Sequence, residues 1–156
     1  WQKSLNGHLS GIFIVTKSVV SHMLKRKHGS IINIASDIGI ISPDHRIYEP
    51  NKRYKYKGVN FNTPISYSVA KSGIISMTRY LATYWAKKGI RVNCISPAGV
   101  YKKHNKKFVE QLSQRIPLGR MAKSYELNGA IIYLCSNASS FVTGHNLVVD
   151  GGRTIW

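Results

Sequence analysis

Features that would send a chain outside the cell or into a membrane are scarce in this sequence. It has only two cysteines, Cys94 and Cys135, in apolar segments, so we expect buried reduced thiols rather than a disulfide framework. No apolar run approaches the roughly 20 residues that span a bilayer. Residues 1–4 are not followed by the apolar stretch of a signal peptide. These absences favour a cytoplasmic protein that does not enter a membrane.

Acidic side chains are also few. The sequence has 6 Asp and Glu against 23 Lys and Arg, a formal net charge of +17. Such an excess is typical of proteins that bind polyanions, so a basic nucleic-acid-binding module is one alternative. The basic residues concentrate, however, in two polar stretches, 46–57 and 102–107, which lie between periodic segments. Solvated loops are the simpler interpretation, and an acidic segment outside this sequence would balance the charge.

Length and composition predict one domain. Of the 156 residues, 43% are hydrophobic, which is enough for a core. The chain does not begin with Met, and its first residues already fit a helical pattern. We therefore expect residues 1–156 to form a single domain that is truncated at its N-terminus, as a piece of a longer protein.

Helical and strand patterns alternate along the chain. Apolar residues at helical spacing predict helices at about 9–27, 66–86 and 108–115, and a further one capped by Ser124. Short apolar runs predict strands at 31–35, 90–96 and 146–149, the first buried on both faces. The predicted buried faces are Leu9, Ile12, Phe13, Thr16, Val19, Val20 and Met23; Ala70, Ile74, Met77, Thr78, Leu81, Ala82 and Trp85; and Leu127, Ala130, Ile131 and Leu134. This alternation predicts an α/β fold with a parallel sheet covered by helices.

Two stretches attract functional interest. Tyr67 and Lys71 lie four residues apart, so on a helix the ammonium sits beside the phenol, lowers its pKa and prepares it to exchange a proton with an alcohol oxygen. Such a pair alone is a weak signal. Ser36 and Pro97, however, each follow a predicted strand, at the sheet edge where α/β proteins bind ligands. We expect these residues to converge on one crevice.

Five motifs carry a family resemblance. They are GSIINIAS at 29–36, Tyr67-x-x-x-Lys71, RVNCISPAG at 91–99, PLGR at 117–120, and TG followed by VDGG within 143–152. Their order resembles the C-terminal part of short-chain dehydrogenases/reductases. The resemblance implies the C-terminal portion of a Rossmann-like, doubly wound parallel sheet in three α/β/α layers. The glycine-rich turn that holds the cofactor pyrophosphate in this family has no counterpart here.

The resemblance also implies an activity and its residues. Such enzymes interconvert an alcohol and a carbonyl with NAD or NADP, and no metal is implied. Tyr67 would be the general acid/base, Lys71 would lower its pKa and bind the nicotinamide ribose, and Ser36 would hold the substrate oxygen. The backbone after the second strand would line the nicotinamide pocket, at Pro97, Gly99 and Val100.

Finer features suggest a substrate class. Residues 35–44, 81–86 and 151–156 resemble a bacterial branch tied to surface-sugar or flagellin-glycan biosynthesis, which implies a sugar derivative as substrate. Residues 43–64 are polar, aromatic and basic without a period, so they predict a long insertion or lid loop. Its side chains would suit an anionic sugar, through Tyr48, Arg53, Tyr54 and Tyr56. A loop without a role is the alternative.

The sequence also departs from the family pattern. The position of the family's proton-relay asparagine falls on His8, and Asn6 would serve only after a shift of register. The stretch after Gly99 is lysine-rich and lacks the threonine that commonly touches the cofactor. The two long helices would form the family's homodimer interface, and homotetramers are common. An inactive half-domain remnant is the remaining alternative.

Overall fold

A computed structural model describes residues 1–48, 55–56, 59–60 and 62–156, with the backbone alone for 55–56 and 59–60. The helices are α1 Gln2–Leu5, α2 Gly11–Arg26, α3 Ile65–Trp85, α4 Lys106–Ser113 and α5 Asn128–Cys135. The strands are β1 Gly29–Ile34, β2 Lys55–Tyr56, β3 Val59–Asn60, β4 Ile90–Pro97 and β5 Asn146–Val149. No helix within the described ranges has both the length and the hydropathy needed to cross a bilayer.

The main sheet has three parallel strands in the order β1-β4-β5. Ile31 of β1 lies opposite Val92 of β4, and Cys94 of β4 lies opposite Asn146 of β5. The central strand β4 is almost fully buried, as expected for a parallel strand covered on both faces. The parallel sheet and its three predicted strands are confirmed.

Alternate residues of β1 contact opposite layers. The Asn33 amide donates to Thr78 Oγ1 of α3 at 2.9 Å. The Ser30 hydroxyl, on the other face of the strand, donates to the Leu134 carbonyl of α5 at 2.8 Å. Because successive strand residues point to opposite faces, α3 and α5 cover opposite sides of the sheet. The predicted three layers are confirmed.

Helix α3 carries most of the core. Its residues Ala70, Ile74 and Leu81 are buried against the sheet. The helix ends in a 3-10 turn, Ala86–Lys88, and Gly89 follows with φ +75°. A Cβ on Gly89 would lie 2.1 Å from the Lys27 carbonyl oxygen, so only glycine allows the chain to pass the end of α2 and enter β4.

The first helical region differs from its prediction. Helical structure begins at Gln2 and passes through a π segment, Asn6–Ser10, before α2. Thr16 and Val20 are buried as predicted, but Phe13 and Val19 are 47% and 42% exposed. The helical period was predicted correctly. The predicted burial of these two side chains was wrong, because the apolar arc of α2 is wider than its contact with the sheet.

Burial at two other sites was also predicted wrongly. Ile34 is 44% exposed, because β1 lies at the edge of the described sheet. Both cysteines are described and both are free thiols; Cys94 is buried as predicted, whereas Cys135 at the end of α5 is exposed.

The last helical region is shorter than predicted. A 3-10 turn at Ser124–Leu127 precedes the eight residues of α5. The residue that caps this turn is Lys123 rather than Ser124, and its backbone N–H donates to the Glu126 carboxylate at 2.7 Å. Ile131 is 37% exposed, so the predicted apolar face is only partly buried.

The described parts of residues 43–64 contain short regular elements. They include a 3-10 turn, His45–Ile47, and the antiparallel pair β2 and β3. Ile47 is buried in a small cluster with Leu112, Ile116 and Met121. The first part of this segment is therefore anchored on α4 and the chain that follows it.

Candidate active site

A cavity of about 370 Å³ opens at the carboxyl ends of β1 and β4. It is lined by Ser36 after β1, by Tyr67 at the start of α3, and by Gly99 and Val100 after β4. The structure thus brings together four of the six predicted site residues. Ligands bind at this edge of parallel sheets, and the volume is in the range of small-molecule sites.

Ser36 is held by the turn that follows β1. Its backbone is extended and its Oγ accepts from the Ile38 backbone N–H at 3.3 Å, which caps the 3-10 turn Asp37–Gly39. Its hydroxyl donates to Asp37 Oδ1 at 2.7 Å. The side chain is buried, so the turn fixes where the hydroxyl lies in the cavity wall.

Tyr67 lies in the first turn of α3, half-buried beside Ser36. Burial raises the pKa of its phenol; the interaction with Ser36 lowers it, while Asp37 and Tyr48 raise it further. This is the opposite of the direction predicted from the neighbouring lysine. The phenol therefore keeps its proton at neutral pH and has one to donate.

Lys71 lies one helical turn beyond Tyr67. Its Nζ is 5.6 Å from the centre of the Tyr67 ring and donates to the Ile34 carbonyl, at the end of β1, at 2.9 Å. Burial lowers the pKa of this ammonium. The two side chains are therefore neighbours, as predicted. Lys71, however, lies behind the phenol and is not among the described residues that line the cavity. Pro97 is also not among them.

Gly99 shapes the opposite wall. A Cβ on this residue would lie 2.5 Å from Leu112 Cδ2 and 3.0 Å from Met121 Cε. The absence of a side chain therefore lets α4 pack against the segment after β4. The next residue, Val100, makes a parallel bridge with Ala122, which holds this wall in place.

The structure distinguishes the two candidates for the relay position. The His8 ring meets the Tyr67 ring edge-on, with centres 5.3 Å apart. Asn6 is exposed and its Oδ1 accepts from Gln2 Nε2 at 2.9 Å. Both lie in the π segment Asn6–Ser10, a distortion that is frequent at functional sites. His8 is therefore the candidate that contacts the phenol.

Two charged residues of the cavity wall, Asp37 and Arg153, were missed in the sequence. Arg153 Nη1 donates to Asp37 Oδ2 at 2.5 Å, and both side chains are at least nine-tenths buried. The sequence features that could have pointed to them are an acidic residue directly after Ser36 and an arginine directly after the glycine pair 151–152. Nothing in the sequence joins the two, since 116 positions separate them.

The wall near residues 43–64 is aromatic. Tyr48 lines the cavity, its hydroxyl hydrogen-bonds to Thr63 Oγ1 at 2.6 Å, and its ring stacks on Phe108 of α4 with centres 5.7 Å apart. Of the other predicted lid residues, Arg53, Tyr54 and the side chain of Tyr56 lie outside the described residues.

Family profiles cover most of the chain. A profile described as enoyl-(acyl carrier protein) reductase matches residues 54–154, and one described as short chain dehydrogenase matches residues 1–48. Among curated proteins, 2-dehydro-3-deoxy-D-gluconate 5-dehydrogenase of Bacillus subtilis (strain 168) is 36% identical over an alignment of 158 positions, gaps included, that covers 97% of this chain and 55% of that protein.

Solved structures show the same relationship. A short chain dehydrogenase from Leptospira borgpetersenii with bound NAD+ superposes with a TM-score of 0.84 and 38% identity, over 95% of this chain and 54% of its own. A gluconate 5-dehydrogenase from Burkholderia cenocepacia in complex with NADP and tartrate gives 0.79 and 32%, over 94% and 53%. The chain thus spans about half the length of these proteins.

Proposed function

The chain belongs to the short-chain dehydrogenase/reductase family, and we propose that it is the C-terminal part of an oxidoreductase that interconverts an alcohol and a carbonyl with NAD or NADP. One observation carries the proposal. Ser36 and Tyr67, from different elements of the fold, share one cavity wall, and the Lys71 ammonium lies one turn behind the phenol.

The chain's own groups suit the proton half of this reaction. In carbonyl reduction, the protonated Tyr67 phenol gives its proton to the reacting oxygen, and in alcohol oxidation it takes the proton back. Ser36 lies beside it and holds that oxygen by a hydrogen bond. The Lys71 ammonium offsets the negative charge that forms on the phenol when the proton leaves.

The residues present fit a nicotinamide cofactor. Lys71 uses one of its three N–H groups on the Ile34 carbonyl, which leaves donors for a ribose hydroxyl. The backbone of Gly99 and Val100 forms the cavity wall on which the ring would rest. When bound, the dinucleotide supplies or accepts the hydride, and the residues that hold its pyrophosphate would come from outside this chain.

We propose a carboxylated sugar derivative as substrate, in a biosynthetic route to surface or flagellar glycans. Two of the three relatives named above are dehydrogenases of gluconate-type sugar acids by name, and one of these two was solved with tartrate, a small dicarboxylate. The protein is also strongly basic, which favours an anionic ligand. The aromatic pair Tyr48 and Phe108 in the cavity wall suits the apolar face of a sugar ring.

We further propose a homodimer or homotetramer held by α2 and α3. Both helices expose apolar and aromatic side chains, including Phe13, Ile14, Val15, Tyr80 and Tyr84. Exposed clusters of this kind mark interaction surfaces.

The test is oxidation of NADH and NADPH by the protein expressed from its complete reading frame. The panel contains keto sugar acids, the neutral keto sugars that match them, and simple ketones. We expect turnover that prefers the acids. A folded protein that turns over none of these carbonyl compounds would favour the inactive remnant, and tight salt-sensitive binding of RNA or DNA would favour the nucleic-acid alternative.

A further inference from the structure

The Ser36 hydroxyl is directed at a carboxylate rather than into open space. It donates to Asp37 Oδ1 at 2.7 Å, and the Ile38 backbone N–H donates to the same oxygen at 2.8 Å. Hydrogen bonds to an ionised acceptor are about twice as strong as neutral ones. If no positive group offset the Asp37 charge, this hydrogen bond would keep the Ser36 hydroxyl turned away from a reacting oxygen.

The same carboxylate opposes the chemistry proposed for Tyr67. Reduction leaves a phenolate on this residue, and a negative group beside it disfavours that charge. Asp37 is one of the groups that raise the pKa of Tyr67. The Asp37 carboxylate, which bonds the Ser36 hydroxyl and faces the phenol, therefore hinders the reaction unless a positive charge balances its negative charge.

Arg153 is the group that balances it. The residue follows the Gly151-Gly152 turn, in which both φ angles are positive, and this turn brings the guanidinium back into the cavity wall. Its Nη1 donates to Asp37 Oδ2 at 2.5 Å, with 7% and 3% of the two side chains exposed. Within the described part of the chain, this is the hydrogen bond that the guanidinium makes.

We propose that Arg153 is a positioning residue which, by neutralising Asp37, frees the Ser36 hydroxyl to turn to the reacting oxygen and lets Tyr67 carry negative charge. This inference rests on the proposed oxidoreductase function. Arg153 acts through Asp37 and Ser36, and does not itself hold the reacting oxygen. Stability alone is a poor reason for this ion pair, because the cost of removing two charges from water can exceed the gain from their attraction.

Several groups face the phenol besides this pair, and the test must hold them constant. They are Ser36 after β1, Tyr48 from the segment before α3, His8 from the π segment, and Lys71 on α3. The variants therefore change only residues 37 and 153.

The experiment uses the complete protein with Arg153→Met, the double variant Asp37→Asn/Arg153→Met, and Arg153→Lys. The first readout is the ultraviolet titration of the Tyr67 phenol, taken as the difference from Tyr67→Phe in each background. The second is the pH profile of kcat/KM. We expect Arg153→Met to move the phenol titration and the matching limb of the profile upward by about one pH unit, and to lower kcat by about tenfold.

The double variant removes both charges, so its titration should return to within a few tenths of a unit of the wild type. Arg153→Lys keeps a cation and should stay near the wild type. If a folded Arg153→Met protein had the same phenol titration and the same kcat as the wild type, the inference would be overturned. Should that variant not fold, Asp37→Asn alone decides, because it must move the phenol titration downward.

The titration separates this inference from the proposed function. It needs neither substrate nor dinucleotide, so it can be measured even if the wild type turns over no carbonyl compound. Absence of turnover counts against the proposed function, whereas an unchanged titration counts against the role of Arg153.

Discussion

Gly39 holds the turn that carries Ser36 against the helix that carries Tyr67. A Cβ at this position would lie 2.8 Å from the Lys71 carbonyl carbon, 2.9 Å from its oxygen and 3.0 Å from the Ser72 nitrogen. All three are backbone atoms of α3, so no side-chain rotation relieves the contact. The Ser72 hydroxyl also donates to the Gly39 carbonyl at 2.9 Å, which fixes the two elements together.

Gly39→Ala must therefore separate the turn from α3. An ordinary contact starts near 3.4 Å, so the gap has to widen by about 0.6 Å. Overpacking of this kind typically costs about 1–3 kcal/mol of the free energy of unfolding. Because a 1 Å misplacement of reacting groups can lower a rate by about 100-fold, we expect kcat/KM to fall about tenfold.

Gly129→Ala is the matched control. Gly129 lies in α5 and a Cβ there meets nothing within 4 Å, so the change should leave the protein as stable or up to about 1 kcal/mol more stable. Urea unfolding and kcat/KM are measured for both variants in the complete protein. If Gly39→Ala matched Gly129→Ala in both, the close packing of the Ser36 turn on α3 would be refuted.

Two further predictions concern buried and partly buried polar pairs. Thr78→Val removes the acceptor of the buried Asn33 amide, so the free energy of unfolding in urea should fall by about 1–3 kcal/mol. Hydrogen bonds from Arg46 and Arg115 hold the pKa of Asp44 well below its usual range. The stability that Asp44 contributes is therefore present above about pH 4 and is lost as the pH falls below it, and Asp44→Asn should cost about 1 kcal/mol at pH 7 and less at pH 3.

Each of these predictions has a result that would contradict it. Thr83→Val is the control for Thr78→Val, because Thr83 is exposed and its hydroxyl donates to the Tyr80 carbonyl of its own helix. Equal losses from the two threonine changes would mean that the buried pair adds nothing. A loss from Asp44→Asn that is as large at pH 3 as at pH 7 would show that the carboxylate charge is not what matters.

The sequence predicted the path of the chain well because local signals agree with the tertiary structure there. Gly89 ends α3 and starts β4 at a φ that favours glycine, and the apolar run of β4 corresponds to a strand buried on both faces. The alternation of such elements determined the parallel sheet. Since its strand ends carry Ser36 and the residues after Pro97, the location of the cavity followed.

The errors concern burial, which depends on neighbours that the sequence does not reveal. Phe13 and Ile34 are apolar, yet both are exposed, Phe13 on the face of α2 that lies beyond its contact with the sheet and Ile34 in the strand at the edge of the described sheet. The pKa of Tyr67 was predicted to fall because Lys71 was visible in the sequence, whereas the burial that raises it was not. The contact between Asp37 and Arg153 was invisible for the same reason.

The central claim is that Tyr67 passes the proton in an NAD(P)-dependent oxidoreduction. The most direct measurement is kcat/KM of the complete protein on its best carbonyl substrate, for the wild type, Tyr67→Phe and the control Tyr125→Phe. Tyr125 is exposed and lies outside the cavity. We expect a loss of about 10²–10⁴-fold for Tyr67→Phe and none for the control. Equal activity of all three proteins would contradict the assignment of Tyr67.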